Sequence, residues 1–177
     1  MYAEKLIAQY FSKILDDYDL ISNKIKPQLI KKQYQDNHWI LDNKNNKHLK
    51  FFIYNDQKIS NQACEKLFNT RIFLQKLAKL RNKKIHSAYF SLLKSSGVIS
   101  LNKFKHQQII KNEKLEIDKN CSILGLIVKN PSKTCLILNG NKNFIRQMKL
   151  ISFDDKRQFG EFNLSNDDRL VLYIRLY

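Results

Sequence analysis

The stretch CSILGLIVKNPSKTCLILNGNKNFIRQMKLISFDDKRQFGEF, residues 121–162, holds three short apolar runs at 123–128, 134–138 and 144–151, each bounded by polar or turn-forming residues. That pattern predicts a small antiparallel sheet of about three strands. Asn139 and Gly140 stand between the second and third runs. A tight turn needs positive φ, which these two residues tolerate best, so the pair marks a hairpin. Lys133, Lys142, Arg146, Lys149, Lys156 and Arg157 are strewn through the same stretch. A compact, basic, turn-rich β unit is the expected centre of the chain.

The remaining composition supports a charged partner. The chain has 177 residues, 43% of them hydrophobic, and a formal net charge of +16. Its length fits one domain, or one domain with a long extension, and its apolar content suffices for a modest core. A charge of that size points to a polyanion, above all nucleic acid. The charge leans toward the C-terminal half: residues 1–80 carry 14 basic and 8 acidic side chains, and residues 81–177 carry 18 and 8. Of the 32 cations 26 are Lys and 6 are Arg, while Gly and Pro number 4 and 2, which points to an AT-rich genome, organellar or bacterial. No run approaches the roughly 18 apolar residues needed to span a bilayer, and no secretory signal is present, so no membrane partner is expected. Cys64, Cys121 and Cys135 are widely spaced, as are His38, His48, His86 and His106. They read as reduced, buried cysteines and scattered histidines, with no metal site and no cofactor.

Outward from the central stretch, Ala3, Ile7, Tyr10, Ile14, Tyr18 and Ile21 recur every three or four residues and predict an amphipathic helix over 2–21. The apolar runs at 38–41 and 48–54 flank a polar turn and predict a β-hairpin, with Trp39 beneath it as a core anchor. Asn61 is placed to cap a helix running to about residue 80, apolar on two sides. A second short helix is expected over 87–95, ending near Gly97. The fold class expected from these elements is α+β: a small antiparallel sheet with a short helix, preceded by a helical and hairpin extension.

Two resemblances bear on function. Arg81 and His86 resemble the R-x4-H signature of HEPN ribonucleases, in which the two side chains share an RNA-cutting cleft. That family is an all-helical bundle, and the strand-rich C-terminal half departs from it. The second resemblance covers about 80 residues. Lys133 with 134–140 resembles the K-T-x-x-V-x-N-G segment of the small-subunit ribosomal protein S-nineteen family, and Phe159-Gly160-Glu161-Phe162 is similar to its K-L-G-E-F. Cys121-Ser122-Ile123-Leu124 looks like the family's S-T-I-L entry, and Lys83-Lys84 followed by Leu92-Leu93-Lys94 repeats the spacing of its opening. The family's G-H-K reads Lys156-Arg157-Gln158 here, and its basic tail is replaced by 163–177.

This second resemblance implies a lineage-specific extension over 1–80 and an rRNA-binding domain over 81–177. The implied function is structural and non-catalytic, in the head of the small subunit, with small-subunit rRNA and an S-thirteen-like protein as partners. Further ribosomal proteins would meet the extension, and a mitochondrial ribosome is the expected compartment, the cytoplasm of an AT-rich bacterium the alternative. The expected RNA-binding residues are Lys83, Lys84, Lys133, Asn139, Gly140, Lys142, Arg146, Lys149, Lys156 and Arg157. Their cations would neutralise phosphates while backbone contacts fix register. Another basic RNA-binding module is the remaining alternative. Phe159 and Phe162 are expected in the core, and Asp154 and Asp155 read as turn formers.

Overall fold

The computed structural model of the protein describes residues 2–22, 40–42, 45–55, 57–59, 66–103, 122–144, 146–154 and 158–177. The chain opens with helix α1 (Tyr2–Ser22), which buries Ile7, Tyr10, Phe11, Ile14, Tyr18 and Ile21 on one face, as the helical spacing of those residues dictates. Strands β1 (Ile40–Asp42) and β2 (Asn45–Asn55) form the expected hairpin, and β3 (Lys58–Ile59) pairs with the end of β2. Helix α2 (Phe68–Leu80) follows. The rest is β: β4 (Ile85–Leu93), β5 (Gly97–Lys103), β6 (Ser122–Lys129), β7 (Thr134–Leu138), β8 (Asn141–Asn143), β9 (Leu150–Asp154), β10 (Gln158–Asn163) and β11 (Arg169–Leu176).

These strands make two antiparallel sheets. One runs β1-β2-β4-β11-β6-β9, with β3 beside β2, and the other runs β5-β10-β7-β8. From β4 onward the chain alternates between the sheets, with β7 and β8 a hairpin within the second, so it winds as a double-sheeted barrel with its interior between the two layers. β11 lies at the centre of the large sheet, pairing Leu172 with Phe90 of β4 and with Leu126 of β6.

Successive strand residues face opposite ways, and the large sheet buries both of its faces. Leu49, Phe51, Ala88, Phe90, Leu92, Leu124, Leu126, Val128, Leu170, Leu172, Ile174 and Leu176 meet the two helices. Tyr89, Ile123, Ile127, Val171 and Tyr173 turn the other way, toward Leu136 and Phe159 of the second sheet. Each such side chain contributes about 1.5–3 kcal/mol on burial. At Gly125 the interior leaves no room: a Cβ there would lie 2.9 Å from Ile151 Cγ1 and 3.0 Å from Tyr173 Cε1. Glycine is what the side chains of the two flanking strands, β9 and β11 of the same sheet, demand at this position.

A carboxylate joins the two helices. Asp17 is buried on α1 and accepts hydrogen bonds from the backbone N–H and the Oγ1 of Thr70 at 2.6 and 2.8 Å, and from Asn69 Nδ2 at 3.1 Å. Leu67, the N-cap residue of α2, offers no side-chain bond of its own. Asp17 therefore caps α2 from the neighbouring helix, where a negative charge also suits the positive end of the helix dipole. We expect Asp17→Ala to lower stability by about 2–3 kcal/mol, the cost of leaving the Thr70 donors buried and unsatisfied. Urea unfolding followed by circular dichroism measures it.

Several expectations are corrected here. The fold is not α+β with a small three-stranded sheet; it is mostly β, in two large sheets. The runs at 123–128 and 134–138 are strands, but β6 and β7 belong to different sheets, because β6 pairs with β11 and β9 while β7 pairs with β10 and β8. The run at 144–151 is largely a link rather than a strand: Met148 adopts φ 62°, and pairing starts at Leu150. Residues 87–95 form β4, not a helix. Leu92, Leu93 and Lys94 thus end a strand, so the segments that resemble the S-nineteen family share local turn chemistry without sharing its sheet. Asn139 and Gly140 make the expected turn, at φ 49° and 82°. Trp39, Asn61, Cys64, Cys121, His38 and His106 lie outside the described residues.

Candidate ligand site between the sheets

Strand β11 has the sequence RLVLYIRL and is buried along its whole length. Its even-numbered residues meet the helices, so Arg169, Val171, Tyr173 and Arg175 all face the space between the sheets. Two arginines in so apolar a strand need partners, since a guanidinium removed from water is costly. Arg169 finds Glu161 of β10, which lies across from it: Nη1 of Arg169 donates to Oε2 of Glu161, and the hydroxyl of Tyr173 donates to Oε1 of the same carboxylate. Arg169, Glu161 and Tyr173 are each 1% exposed, so the group is sealed. Burial pulls the Arg169 guanidinium below its ordinary range and pushes the Tyr173 phenol well above its own. Arginine starts so high that it stays protonated, and the tyrosine stays neutral and able to donate.

The end of the barrel nearest Arg169 is closed by polar turns. Asn130 Oδ1 accepts from Thr134 Oγ1 at 2.7 Å and from Arg169 Nε at 3.4 Å. Asn163 Nδ2 donates to the carbonyls of Leu93 and Asp167 at 3.1 and 2.7 Å, and its Oδ1 accepts from the Ser165 N–H at 3.1 Å. Lys94 pairs with Asp168 at 2.9 Å across the β4–β5 and β10–β11 turns. Along the β2 side, His48 Nε2 and Ser91 Oγ share a hydrogen bond of 2.8 Å, and Lys50 sets its ammonium 5.8 Å from the centroid of the Tyr89 ring. A cation over a ring face is attracted by the ring's quadrupole. On the outer side, Tyr18 of α1 meets Phe90 edge-on, and burial pushes its phenol up to about 12.

The opposite end is walled by rings. Phe159 stacks against Phe153 and Tyr173 with centroids 5.8 and 6.1 Å apart, and Phe52 lies 5.2 Å from Tyr89. Arg175, 6% exposed, faces the interior there, paired across the sheet with Ser87 on one side and Ile123 on the other. Among the described residues the interior therefore gathers three cations, Lys50, Arg169 and Arg175, against the single carboxylate of Glu161. No three His, Cys, Asp or Glu side chains converge among the described residues in a way that could hold a metal ion.

The residues expected to bind RNA are not brought together. Lys133, Arg146 and Lys149 are exposed at the end where the β4–β5, β6–β7 and β10–β11 turns lie. Lys83 and Lys84 sit at the other end, where Lys84 exchanges backbone hydrogen bonds of 3.0 and 3.1 Å with Tyr177. Asn139 and Gly140 form the exposed β7–β8 turn, and Lys142 is exposed on the short strand after it. Lys156 and Arg157 lie outside the described residues. Arg81 is exposed at the C-terminus of α2, whereas His86 is half-buried in β4 with its ring 6.2 Å from that of Tyr177. Phe159 is in the core as expected, and Phe162 is half-buried on the other side of β10. The residues missed were Lys50, Arg169, Tyr173 and Arg175. One signal was present: Arg169 and Arg175 have the same strand parity, which puts two charges on one face of an apolar run.

No protein-family model matches the chain, and no curated protein matches it in sequence. Solved structures do match in shape. A prolyl-4-hydroxylase from Pseudomonas putida aligns over 98% of this chain and 86% of its own, at 10% identity and a TM-score of 0.53. KdgF from a Halomonas species aligns over 85% and 94%, at 9% identity and a TM-score of 0.45. The cupin domain of Schizosaccharomyces pombe Cnp3 aligns over 51% of this chain, at 8% identity and a TM-score of 0.38, and the chain spans 54% of that protein's length. At 10% identity the prolyl-4-hydroxylase match shows the fold and nothing finer. The neighbours are cupin-fold proteins and include enzymes. They correct the ribosomal S-nineteen resemblance, and with it the structural role on rRNA, the S-thirteen-like and other ribosomal partners, and the ribonuclease and RNA-binding alternatives.

Proposed function

We propose that the protein binds a small anionic molecule, a carboxylate or a phosphate ester, between its two sheets at the Arg175 end. The observation that carries this reading is the charge balance of the interior: three cations to one carboxylate among the described residues, in a space otherwise lined by rings and aliphatic side chains. A low-dielectric interior strengthens the attraction between such cations and an entering anion. Arg169 binds Glu161 toward the other end, and Arg175 is the recognition charge of this one. Phe153, Phe159 and Tyr173 would pack against the ligand's carbon skeleton, the usual division of labour in a small-molecule site.

The test is a thermal-shift series on the full chain with mono- and dicarboxylates and sugar phosphates. A ligand at about a hundred times its dissociation constant contributes roughly 2.7 kcal/mol, which raises the midpoint of a chain this size by about 5–10 °C. Arg175→Met should abolish the shift, with circular dichroism checking that the variant is folded. A panel without effect, or a shift that survives Arg175→Met, contradicts the reading.

A further inference from the structure

We infer that the turn end of the barrel docks on an anionic lipid surface, with Phe144 and Met148 as the side chains that enter it. The link between β8 and β9 leaves Phe144 73% and Met148 43% exposed, and Leu164 on the neighbouring β10–β11 turn is 59% exposed. Scattered apolar residues on a surface need no explanation, but these alternate with cations. Arg146 and Lys149 lie on the same link, and Lys133, also exposed, accepts a backbone hydrogen bond of 3.1 Å from Leu164.

The arrangement is built into the sheet. Met148 N–H donates to the Ile127 carbonyl at 3.0 Å, Ile127 N–H donates to the Lys149 carbonyl at 3.1 Å, and Lys149 N–H donates to the Arg146 carbonyl at 3.3 Å. Met148 and Lys133 both hold φ 62°, a conformation uncommon outside glycine, to keep this outline. The acidic groups at this end are few. Asp168 is paired with Lys94, Asp19 of α1 lies 3.6 Å from Lys129, and Asp167 is exposed.

Charge complementarity calls for an anionic partner, and the apolar side chains decide which one. A phosphodiester backbone offers Met148 nothing to enter, whereas the boundary between lipid headgroups and acyl chains accepts an aromatic ring and a thioether while its phosphates meet the cations. No helix of the described residues is long and apolar enough to cross a membrane.

The experiment is co-sedimentation of the full chain with vesicles of phosphatidylcholine alone and of phosphatidylcholine mixed with phosphatidylserine. Binding to the mixed vesicles alone, weakening as salt rises, is expected. Arg146→Gln with Lys149→Gln should weaken it roughly 25-fold, about fivefold per cation. Phe144→Ser should weaken it roughly tenfold for the lost apolar contact, and Asp167→Lys should tighten it. Circular dichroism checks that these exposed positions leave the fold intact. Equal sedimentation with both vesicles, or with neither, overturns the inference. So does homopolymeric RNA bound as tightly as mixed vesicles and indifferent to Phe144→Ser, which would make the face one for nucleic acid.

Discussion

Glu161→Ala is expected to cost about 3–5 kcal/mol, because it leaves the Arg169 guanidinium and the Tyr173 hydroxyl buried with their common acceptor gone. Against a total stability of about 5–15 kcal/mol, that takes the chain close to unfolding at room temperature. The loss measures the penalty of an orphaned charge more than the worth of the ion pair. A second variant separates the two: Glu161→Leu combined with Arg169→Met removes both charges and should recover most of the loss, since a buried pair replaced by apolar side chains of similar size is often neutral. Urea unfolding gives both values. A loss below about 1 kcal/mol for Glu161→Ala would mean that water reaches the group, at odds with its sealed position.

Phe90→Ala comes second, at about 3–5 kcal/mol. Phe90 is fully buried on the helix side of β4, flanked by Leu172 of β11 and touched edge-on by Tyr18 of α1 at 5.8 Å. Truncation leaves a cavity that a helix and two paired strands cannot close without moving together, and Phe90→Leu should cost far less. Phe144→Ala is the control: an exposed ring away from the core should stay within about 0.5 kcal/mol. The comparison is read from midpoints in urea. If Phe90→Ala proves as mild as Phe144→Ala, α1 does not pack on the large sheet.

What could be read in the sequence was local. The spacing of Ile7, Tyr10, Ile14, Tyr18 and Ile21 forces an amphipathic helix, and Asn139-Gly140 forces a turn, because each depends on residues a few places apart. Pairing depends on residues far apart. Nothing in 123–128 or 134–138 tells that the first run joins β11 and the second joins β10. β4 was misread as a helix for a related reason: Ala88, Phe90 and Leu92 serve one core while Tyr89 serves the other, so the polar alternation that marks a half-exposed strand is blurred. β11 hides in the same way.

The site was harder still. Glu161, Arg169 and Tyr173 are 8 and 12 positions apart and meet only because β10 and β11 lie in facing sheets. Of the lysines expected to bind RNA, Lys133 and Lys149 lie at one end of the barrel and Lys83 and Lys84 at the other. The charges that matter to the interior are few and sit inside apolar strands.

The double-sheeted winding itself is tested most directly by nuclear Overhauser contacts across β11 in the full, isotopically labelled chain. The backbone of Leu172 should show contacts both to Phe90 and to Leu126, because one strand lies between the other two. Residues 169–176 with random-coil shifts and contacts to neither strand would make the C-terminal segment a tail and contradict the fold on which the interior site depends.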